Sequence, residues 1–511
     1  MSAGLIEHIR WRRAYLDLEL SALPPDAEVV VVSTDDPVSC YPLRVSGATA
    51  TLFIPNVTGE QGHEMLTGGS WYFALRESSS IHPLALSDGA HAELESASQT
   101  FHSGHRGESY QLQFRADGAI CKMEVVFAQK GVPLAAGLLR ALLQTVYRVA
   151  YRSSRHDGTR LMLLSETKNR ISGNLLALDL RLRERGLEES HKIVHRFQET
   201  LRSSPFTQAW SWFRLVILLA RQDVIFIDDY APIFNQITLG AHTLLCQVWH
   251  AGVGFKAVGY ARFGKEGSPQ ALRSSHRHYD RVVVGSTALI EVYQEVFALP
   301  AERFLATGLP RIDLFLAPDA TQRAQEQLFS HRPGIRDKRR ILFAPTYRGT
   351  GQAQAFYPYE ELDFAKIAKL CGDDTVFLIK MHPFITQHPV ILPEYADRII
   401  DVSGFDVNEL LLCADFLVTD YSSVIYEYSL LDRPMCFFAF DLESYEGARG
   451  FHWDYEQIAP GPVCRSFDEL LDALQAPDHS QGKREAFRKL GFDHQDCHNA
   501  DRLIDAVINP R

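Results

Sequence analysis

The sequence lacks the features of several specialised protein classes. Its eight cysteines are scattered singly, with no Cys-x-x-Cys pair and no tight grouping with histidine. This pattern argues against a disulfide framework and a structural zinc site, and it favours a reducing compartment. The phosphate loop Gly-x-x-x-x-Gly-Lys-Ser/Thr and a Gly-x-Gly-x-x-Gly fingerprint between a strand and a helix are also missing. A P-loop nucleotidase is therefore disfavoured.

Long apolar runs and an excess of basic residues are missing too. The longest apolar stretches, such as 215–220, fall far short of the ~20 residues that a transmembrane helix needs. Residues 1–19 lack the apolar core and cleavage site of a signal peptide. Lys and Arg total 52 against 63 Asp and Glu, a net charge of −11, so no overall positive field holds nucleic acid. We expect a cytoplasmic protein with no nucleic-acid partner.

A chain of 511 residues is long enough for two or three domains. Short strand-like segments separated by turn residues fill the first 130 positions, which predicts a small β-sandwich or barrel. From residue 160 onward, apolar strand-like runs alternate with longer amphipathic segments, as in parallel sheets covered on both faces. A break rich in Pro and Gly near residue 330 then divides the chain into a β-sandwich-like accessory domain (1–130) and two α/β domains (131–330 and 331–511).

The most informative segment follows the strand-like run 416–418 and reads Thr419-Asp420-Tyr421-Ser422-Ser423. Small hydroxyl residues before an amphipathic segment are typical helix N-caps, and the free N–H groups of a first helical turn bind anions. Ligands of open α/β sheets lie at the carboxyl ends of strands. The segment therefore predicts a phosphate site at Asp420, Ser422 and Ser423, with simple helix capping as the alternative.

A second candidate is His250, which ends the apolar run 243–248 and precedes glycines. A histidine at a strand terminus beside a backbone that allows close approach suits a general base in a cleft. The alternative is a purely structural histidine.

Basic residues recur near these turns. Lys256, Arg262 and Arg277 follow His250 with few acids between them, which predicts an acceptor-side surface for a polyanion, or else a solvated loop face. Three further strand-end turns predict phosphate contacts, and they carry Arg311, Thr346 with Arg348, and His382.

Adjacent acids at Asp228 and Asp229 point in different directions from a strand end, which disfavours a metal clamp. We expect these two acids to cap a helix or to bind substrate hydroxyl groups. We expect no metal and no cofactor.

The stretch from about 225 to 474 resembles the CDP-glycerol glycerophosphotransferases of teichoic acid and capsule synthesis. The resemblance rests on ordered motifs, which are Gln247-Val248-Trp249-His250, Gly308-Leu309-Pro310-Arg311-Ile312-Asp313, Ala344-Pro345-Thr346-Tyr347-Arg348, Lys380-Met381-His382-Pro383, and the segment from Asp406 through Ser423.

The resemblance implies an α/β protein of GT-B architecture, with two Rossmann-like domains facing a cleft after the N-terminal β-sandwich domain. The domain 131–330 would hold the acceptor side and 331–511 the CDP donor. The implied reaction moves glycerol phosphate, or a related polyol phosphate, from a CDP-activated donor to a hydroxyl of a polymer or lipid-linked primer and releases CMP.

The resemblance also assigns roles to individual residues. It makes His250 the base, places Arg311 and His382 near the donor pyrophosphate, and makes the turn of Ser422 and Ser423 the donor site. It implies chemistry without a metal.

Several alternatives stay open at this point. The family typically reads Trp-His-Gly-Thr where this chain has Trp249-His250-Ala251-Gly252, so the acceptor is not fixed. The donor is CDP-glycerol or CDP-ribitol. A GT-B glycosyltransferase that uses a nucleotide sugar and a catalytically silent polymer-binding protein are the rival functions. The N-terminal domain either positions the polymer or serves packing and dimerisation.

Two segments are candidates for peripheral contact with the inner face of the cell membrane. Residues 133–155 are free of acids and carry arginines beside a leucine-rich face, and residues 206–219 are rich in aromatic and apolar side chains. Basic amphipathic helices of this kind lie on anionic lipid surfaces. The alternative is that both helices belong to the core.

Overall fold

Three large sheets follow one another along the chain. The structure is a computed structural model that describes residues 4–508 except 22, 25–26, 60–61, 67, 78–79, 103–108, 129–133, 199–203, 251, 253, 264–273 and 350–351. The first sheet is almost entirely antiparallel, whereas the second and third are parallel throughout their described strands. Mixed α/β architecture is therefore confirmed.

The N-terminal region forms a 12-stranded sheet and a separate two-stranded ribbon, β7 with β8. Its elements are β1 (Leu5–Arg12), β2 (Tyr15–Leu20), β3 (Glu28–Ser33), β4 (Cys40–Pro42), β5 (Arg44–Ser46), β6 (Thr49–Phe53), β7 (Val57–Gly59), β8 (Gly62–Glu64), β9 (Gly69–Glu77), β10 (Ser80–Pro83), β11 (Ala85–Leu86), α1 (Asp88–Ala97), β12 (Gln99–His102), β13 (Ser109–Asp117) and β14 (Ile120–Ala128).

Alternating side chains explain this sheet. In β2, Leu16, Leu18 and Leu20 are buried, and the residues between them are half-buried, as expected for a strand with one face in the core. The predicted N-terminal β domain agrees with this sheet in outline, and most of its described strands join into one hydrogen-bonded network. Its strand order is β4-β3-β9-β14-β11-β1-β2-β6-β5. The parallel pairing of β1 with β11 joins strands that are far apart in sequence.

The second sheet has the strand order β16-β15-β17-β18-β19-β20, which is the doubly wound order 2-1-3-4-5-6. Its strands are short, and the central strand β17 is fully apolar, with all four residues buried. The elements of this first parallel unit are α2 (Leu134–Arg152), β15 (Arg160–Ser165), α3 (Gly173–Glu184), β16 (Lys192–Phe197), α4 (Pro205–Leu219), β17 (Val224–Ile227), β18 (Leu244–Gln247), β19 (Arg281–Val283), α5 (Ile290–Phe297), β20 (Phe304–Leu305), α6 (Arg311–Phe315) and α7 (Ala320–His331).

The third sheet has the order β23-β22-β21-β24-β25-β26, which is the Rossmann order 3-2-1-4-5-6. The elements of this second parallel unit are β21 (Arg339–Phe343), α8 (Phe364–Cys371), β22 (Thr375–Ile379), β23 (Ile399–Asp401), α9 (Val407–Cys413), β24 (Phe416–Thr419), α10 (Val424–Ser429), β25 (Met435–Phe438), α11 (Leu442–Arg449), α12 (Tyr455–Ile458), β26 (Val463–Cys464), α13 (Phe467–Gln475), α14 (Gln481–Gly491) and α15 (Asn499–Val507).

The chain crosses between the two parallel units at both of their ends. Helix α7 packs on α9, and α15 packs back on α3 and α6 of the first unit. Asp313 in α6 accepts hydrogen bonds from the first N–H groups of α15, at Asn499 (3.0 Å) and Ala500 (2.8 Å). The predicted boundary at residue 330 thus falls inside α7, and the end of the predicted donor domain contacts the first unit.

Helices α2 and α4 pack against each other and leave apolar side chains exposed. Leu134 and Phe206, near the helix starts, are 82% and 83% exposed, and Leu138, Leu142, Val149 and Trp210 are also exposed. Pro133, the first residue of the predicted segment 133–155, lies outside the described residues. In the part of the chain that the structure describes, no helix combines the length and the apolar character needed to cross a bilayer.

Gly308 offers a test of how the last helix is held. It has φ +81°, and a Cβ built there would lie 1.9 Å from Asn499 Oδ1. Gly118 has a similar φ of +60° in open space, so it isolates the backbone strain of about 1–2 kcal/mol. We expect Gly308→Ala to lower the thermal melting temperature clearly more than Gly118→Ala does. Equal decreases in melting temperature would show that α15 can move away from residue 308 without loss of stability.

Candidate active site

Several of the predicted functional residues, His250 and His382 among them, lie where the carboxyl ends of the two parallel sheets approach each other. Chain order reverses between β15 and β17 in the second sheet and between β21 and β24 in the third, and crevices for ligands form at such points. His250 follows β18, next to the first of these points, and His382 follows β22, next to the second. Gly252 lies against the Tyr426 ring of α10, so the turn after His250 touches the second unit.

The imidazole of His250 is held from its Nδ1 side. Nδ1 lies 3.2 Å from the carbonyl oxygen of Asp228 and 3.5 Å from the Asp229 carboxylate. Both partners are acceptors, which selects the tautomer with hydrogen on Nδ1 and leaves Nε2 with a free lone pair. The ring is partly exposed. This geometry suits a proton acceptor facing the cleft.

The turn before His250 is locked by groups that sequence reasoning missed. Trp249 has φ +51°, a left-handed conformation that is unfavourable for a bulky side chain. Asn174, buried at the start of α3, donates to the carbonyls of Val248 (2.9 Å) and Trp249 (2.6 Å). Gln247 accepts from the Trp249 N–H at 2.8 Å. The sequence signal for Asn174 was weak: it is an amide side chain that follows Ser172-Gly173 at the start of a helix.

Asp420 is bound to protein groups inside the second unit, and the prediction that it contacts the donor stays a prediction. It is 1% exposed and accepts hydrogen bonds from the Thr346 N–H (2.7 Å) and from Arg348 (2.8 Å). It thereby ties the turn after β21 to the turn after β24. The Thr346 hydroxyl is buried and, among the described residues, has no hydrogen-bond partner.

Arg348 is likewise committed to protein groups. Its guanidinium also binds Asp441 through Nε (2.6 Å) and Nη2 (2.9 Å), and Nη1 reaches the Thr346 carbonyl. Two carboxylates around one buried guanidinium form a satisfied structural pair. Arg348 therefore fixes the turns, and its predicted phosphate contact stays a prediction.

Arg311 is also bound to protein groups, and its predicted place near the donor pyrophosphate stays a prediction. Its Nε donates to Glu427 at 2.9 Å, Nη2 binds the same carboxylate, and its backbone N–H donates to Asn174. Both charged side chains are about nine-tenths buried. Arg311 belongs to the first unit and Glu427 to α10 of the second, so this pair joins the two units.

Ser422 lines a cavity of about 410 Å³ at the carboxyl end of the third sheet. His382, Lys380 and Asp406 also line it, and among its described lining residues Arg170 alone comes from the first unit. Arg170, on the exposed turn after β15, was not anticipated from the sequence. The cavity is the best-formed candidate for the donor, because it combines strand-end polar groups with a cation from the opposite unit.

His382 lines this cavity as a neutral ring. Burial first, and then the nearby charges of Lys256 and Lys380, together lower its pKa to about 4. Its Nδ1 accepts the Phe384 N–H at 3.1 Å, which leaves Nε2–H free to donate. His382 is therefore equipped to donate a hydrogen bond and not to supply a positive charge.

The sequence predicted an N-cap at Ser422 or Ser423, and the structure agrees with the position but not with a capping hydrogen bond. Ser423 occupies the N-cap position of α10, but its hydroxyl makes no capping hydrogen bond. The helix has only six residues, which limits its dipole. Ser422 contributes by lining the cavity and Ser423 by starting the helix.

The three predicted acceptor-side cations have different environments. Lys256 is half-buried, and burial lowers its pKa to about 8 although Asp420 opposes the shift. Arg262 lies in the single turn 259–262 beside the N-terminal sheet. Arg277 donates to the Pro55 carbonyl of that sheet and lies over the Tyr260 ring. Arg277 is thus an inter-domain contact, and its binding of a polyanion stays a prediction.

Within the described ranges, no group of three or more His, Cys, Asp or Glu side chains is arranged to hold a metal ion. The expectation of metal-independent chemistry stays a prediction.

The sequence matches one family model over residues 145–509, described as CDP-Glycerol:Poly(glycerophosphate) glycerophosphotransferase. The chain belongs to this family. It is 38% identical over 293 residues to the teichoic acid poly(ribitol-phosphate) polymerase of Bacillus spizizenii, covering 57% of this chain and 47% of that relative. It is 36% identical over 349 residues to the teichoic acid ribitol-phosphate polymerase TarK of Staphylococcus aureus, covering 67% of each. The chain thus spans about half to two thirds of the length of these relatives.

A solved structure of the wall teichoic acid polymerase TagF has the same fold over most of this family member. The superposition has a TM-score of 0.57 at 21% sequence identity, and it covers 73% of this chain and 96% of TagF. The shared fold and the family match agree with the resemblance drawn from the motifs.

Two buried neutral histidines predict how stability depends on pH. Burial lowers the pKa of both His276 and His382 to about 4, below the value of about 6.5 of an unfolded histidine. As pH falls from about 6.5 towards 4, the unfolded chain takes up protons that the folded chain does not, so the free energy of unfolding decreases. We expect His382→Asn to weaken this decrease.

The measurement compares melting temperatures at pH 7 and pH 5. The exposed His498 provides the control, and His498→Asn should keep the wild-type difference. A His382→Asn protein with the full wild-type difference would contradict the buried neutral state of His382.

Proposed function

We propose that this chain transfers a polyol phosphate from a CDP-activated polyol to a hydroxyl group of a polyol-phosphate polymer or a lipid-linked primer, with release of CMP. The observation that carries the proposal is the placement of His250. Its Nδ1 is bound at Asp228 and Asp229, and its free Nε2 belongs to a turn that touches the second unit. Membership of the glycerophosphotransferase family supplies the reaction class.

The proposed step is a displacement at phosphorus. The acceptor hydroxyl loses its proton to His250 Nε2, and its oxygen bonds to the phosphorus that carries the polyol. The bond from that phosphorus to the bridging oxygen breaks, and CMP leaves with the negative charge. Since charge grows on the leaving group, donors placed near it in advance lower the barrier most.

The groups available for that charge lie around the 410 Å³ cavity. His382 Nε2–H and the Ser422 hydroxyl offer neutral hydrogen bonds, and Arg170 offers a full positive charge from the first unit. Lys256 adds a charge that weakens near pH 8, its pKa being lowered to about 8 by burial. Two units that each supply part of one site correspond to a GT-B arrangement, with the acceptor side in the first unit and the donor side in the second.

Glycerol and ribitol are both candidates for the polyol. The family model is described by glycerophosphate transfer, whereas the two polymerases compared above are named for ribitol phosphate. The identities of 38% and 36% to those polymerases favour ribitol. CDP-ribitol is therefore a candidate donor beside CDP-glycerol.

His250→Ala tests the proposed base. We expect CMP release to fall by at least ~100-fold, the scale of general base catalysis, because the variant lacks the group that accepts the hydroxyl proton. Donor binding, measured by calorimetry, should stay within about threefold of wild type. His242→Ala is the matched control, since the exposed His242 precedes β18 whereas His250 follows it.

The same assay separates the rival functions. Purified protein is given CDP-glycerol, CDP-ribitol, UDP-sugars or GDP-sugars, each with and without a lipid-linked glycerophosphate acceptor. Acceptor-dependent CMP release from either CDP-polyol supports the proposal. Turnover of nucleotide sugars alone would assign a glycosyltransferase, and turnover of no donor would assign a polymer-binding protein.

A peripheral membrane contact is the second part of the proposal. Leu134, Leu138 and Leu142 recur every four residues on one face of α2, and Phe206 and Trp210 do so on the neighbouring α4. The exposed Arg148, Arg152 and Arg155 would complement an anionic lipid surface. Such a surface is where a lipid-linked acceptor would be reached.

Leu138→Glu tests this contact. A carboxylate in the apolar face should weaken binding to vesicles that contain phosphatidylglycerol by roughly tenfold, because it opposes both burial and charge attraction. Val390→Glu is the control, since Val390 is equally apolar and 84% exposed in the second parallel unit. Sedimentation with anionic and neutral vesicles measures both, and equal loss in the two variants would contradict the assignment.

A further inference from the structure

Arg13 occupies a turn position that is normally reserved for glycine. Strands β1 and β2 are joined by the two-residue turn Arg13-Ala14, since Arg12 pairs with Tyr15. Arg13 has φ +57°, the left-handed region that is unfavourable for residues with a Cβ. Two-residue hairpin turns with a positive φ at the first position usually carry glycine there.

The chain itself shows the ordinary choice. The two-residue turn between β13 and β14 is Gly118-Ala119, where Asp117 pairs with Ile120 and Gly118 has φ +60°. The same local geometry is thus built with glycine in one hairpin and with arginine in the other. The arginine side chain must therefore contribute something that offsets the backbone strain.

That contribution is visible in the contacts of the guanidinium. Nε and Nη2 of Arg13 bind the two carboxylate oxygens of Glu295 at 2.5 and 2.7 Å. Nη1 lies 3.4 Å from the Phe451 carbonyl oxygen and 3.3 Å from that of His452. Glu295 belongs to α5 of the first unit, and Phe451 and His452 belong to the second. One side chain of the N-terminal sheet thus reaches both parallel units.

Glu295 is built to hold this arginine. It is 3% exposed. Burial alone would raise its pKa, but His452 and Arg13 lower the pKa below its ordinary value. A bidentate pair of this kind is both strong and directional.

The carbonyls held by Arg13 belong to a segment that pairs with the strap, the name used here for residues 255–263. The Ala257 N–H donates to the Gly450 carbonyl at 2.9 Å, and Lys256 forms an antiparallel bridge with Phe451. The other end of the strap enters the N-terminal core, where the Phe263 ring lies 5.7 Å from that of Tyr110. The strap begins five residues after His250.

We propose that Arg13 is a positioning residue for the transfer reaction, holding the strap and the segment 450–452 so that His250 and Lys256 face the donor cavity. This inference rests on the proposed function and gives the N-terminal sheet a part in it. Arg13 is not among the described residues that line the donor cavity. Its loss therefore acts on the alignment of the two units and leaves the cavity that holds the donor intact.

The test uses three variants of the full chain. Arg13→Gly removes the side chain and suits the positive φ of the turn, so the hairpin itself is preserved. Arg13→Lys keeps the charge without the bidentate geometry. Arg44→Ala is the control, because Arg44 and Glu291 form an exposed ion pair (2.8 Å) between the same N-terminal sheet and α5.

In Arg13→Gly we expect amide hydrogen exchange to accelerate by at least ~tenfold in 255–263 and 450–453. We also expect kcat for CMP release to fall by ~tenfold or more while the dissociation constant of the CDP-polyol donor changes by less than about twofold. Arg13→Lys should fall between wild type and Arg13→Gly in both measurements, and Arg44→Ala should match wild type.

Unchanged exchange in Arg13→Gly, or the same change in Arg44→Ala, would overturn the inference. Parallel losses of kcat and donor affinity would overturn it as well, since they would place the effect in the donor site. If Arg13→Gly fails to fold, Arg13→Lys carries the same comparison. If the wild-type protein turns over no CDP-polyol, the proposed function fails, whereas the exchange measurement still decides whether Arg13 holds the strap.

Discussion

The buried pair of Arg311 and Glu427 sets how the two parallel units meet. Each side chain is about nine-tenths buried, and removing either partner would leave a desolvated charge at an expense of about 3–5 kcal/mol. Arg311 begins α6, directly after a strand-end turn of the first unit, and Glu427 lies on α10, directly after the strand-end turn of Ser422 in the second. The distance between the two halves of the candidate site is therefore tied to one fixed contact.

The charges near the cleft show why an acidic protein can be suited to phosphate chemistry. Several of its cations are already committed to carboxylates, as Arg348 is to Asp420 and Asp441. The other basic side chains near the cleft carry less positive charge than usual. His382 is neutral, and burial lowers the pKa of Lys256 to about 8. A donor pyrophosphate would meet hydrogen-bond donors and a small number of charges. Such a site can release CMP more readily than a densely cationic one.

The sequence alone predicted the two parallel sheets, because short apolar strands between amphipathic helices leave few other architectures. It also placed His250 and His382 at strand ends, which the structure shows. Local sequence patterns could not reveal which carboxylate forms an ion pair with which arginine. Asp441 lies 93 residues after Arg348 in the chain, and Glu427 lies 116 residues after Arg311, so both were expected to bind phosphate. The continuous N-terminal sheet was missed for a similar reason, since it depends on the distant pairing of β1 with β11.

Helices α7 and α15 make the chain pass between the two parallel units at two separate places. Two rigid units connected at two points retain one low-energy motion, a hinge rotation about the line through both points. Sliding and twisting of the units against each other would strain one crossing or the other. Opening of the cleft would then be a rotation about this one axis. Because Arg13 contacts both units, its hydrogen bonds would oppose that rotation.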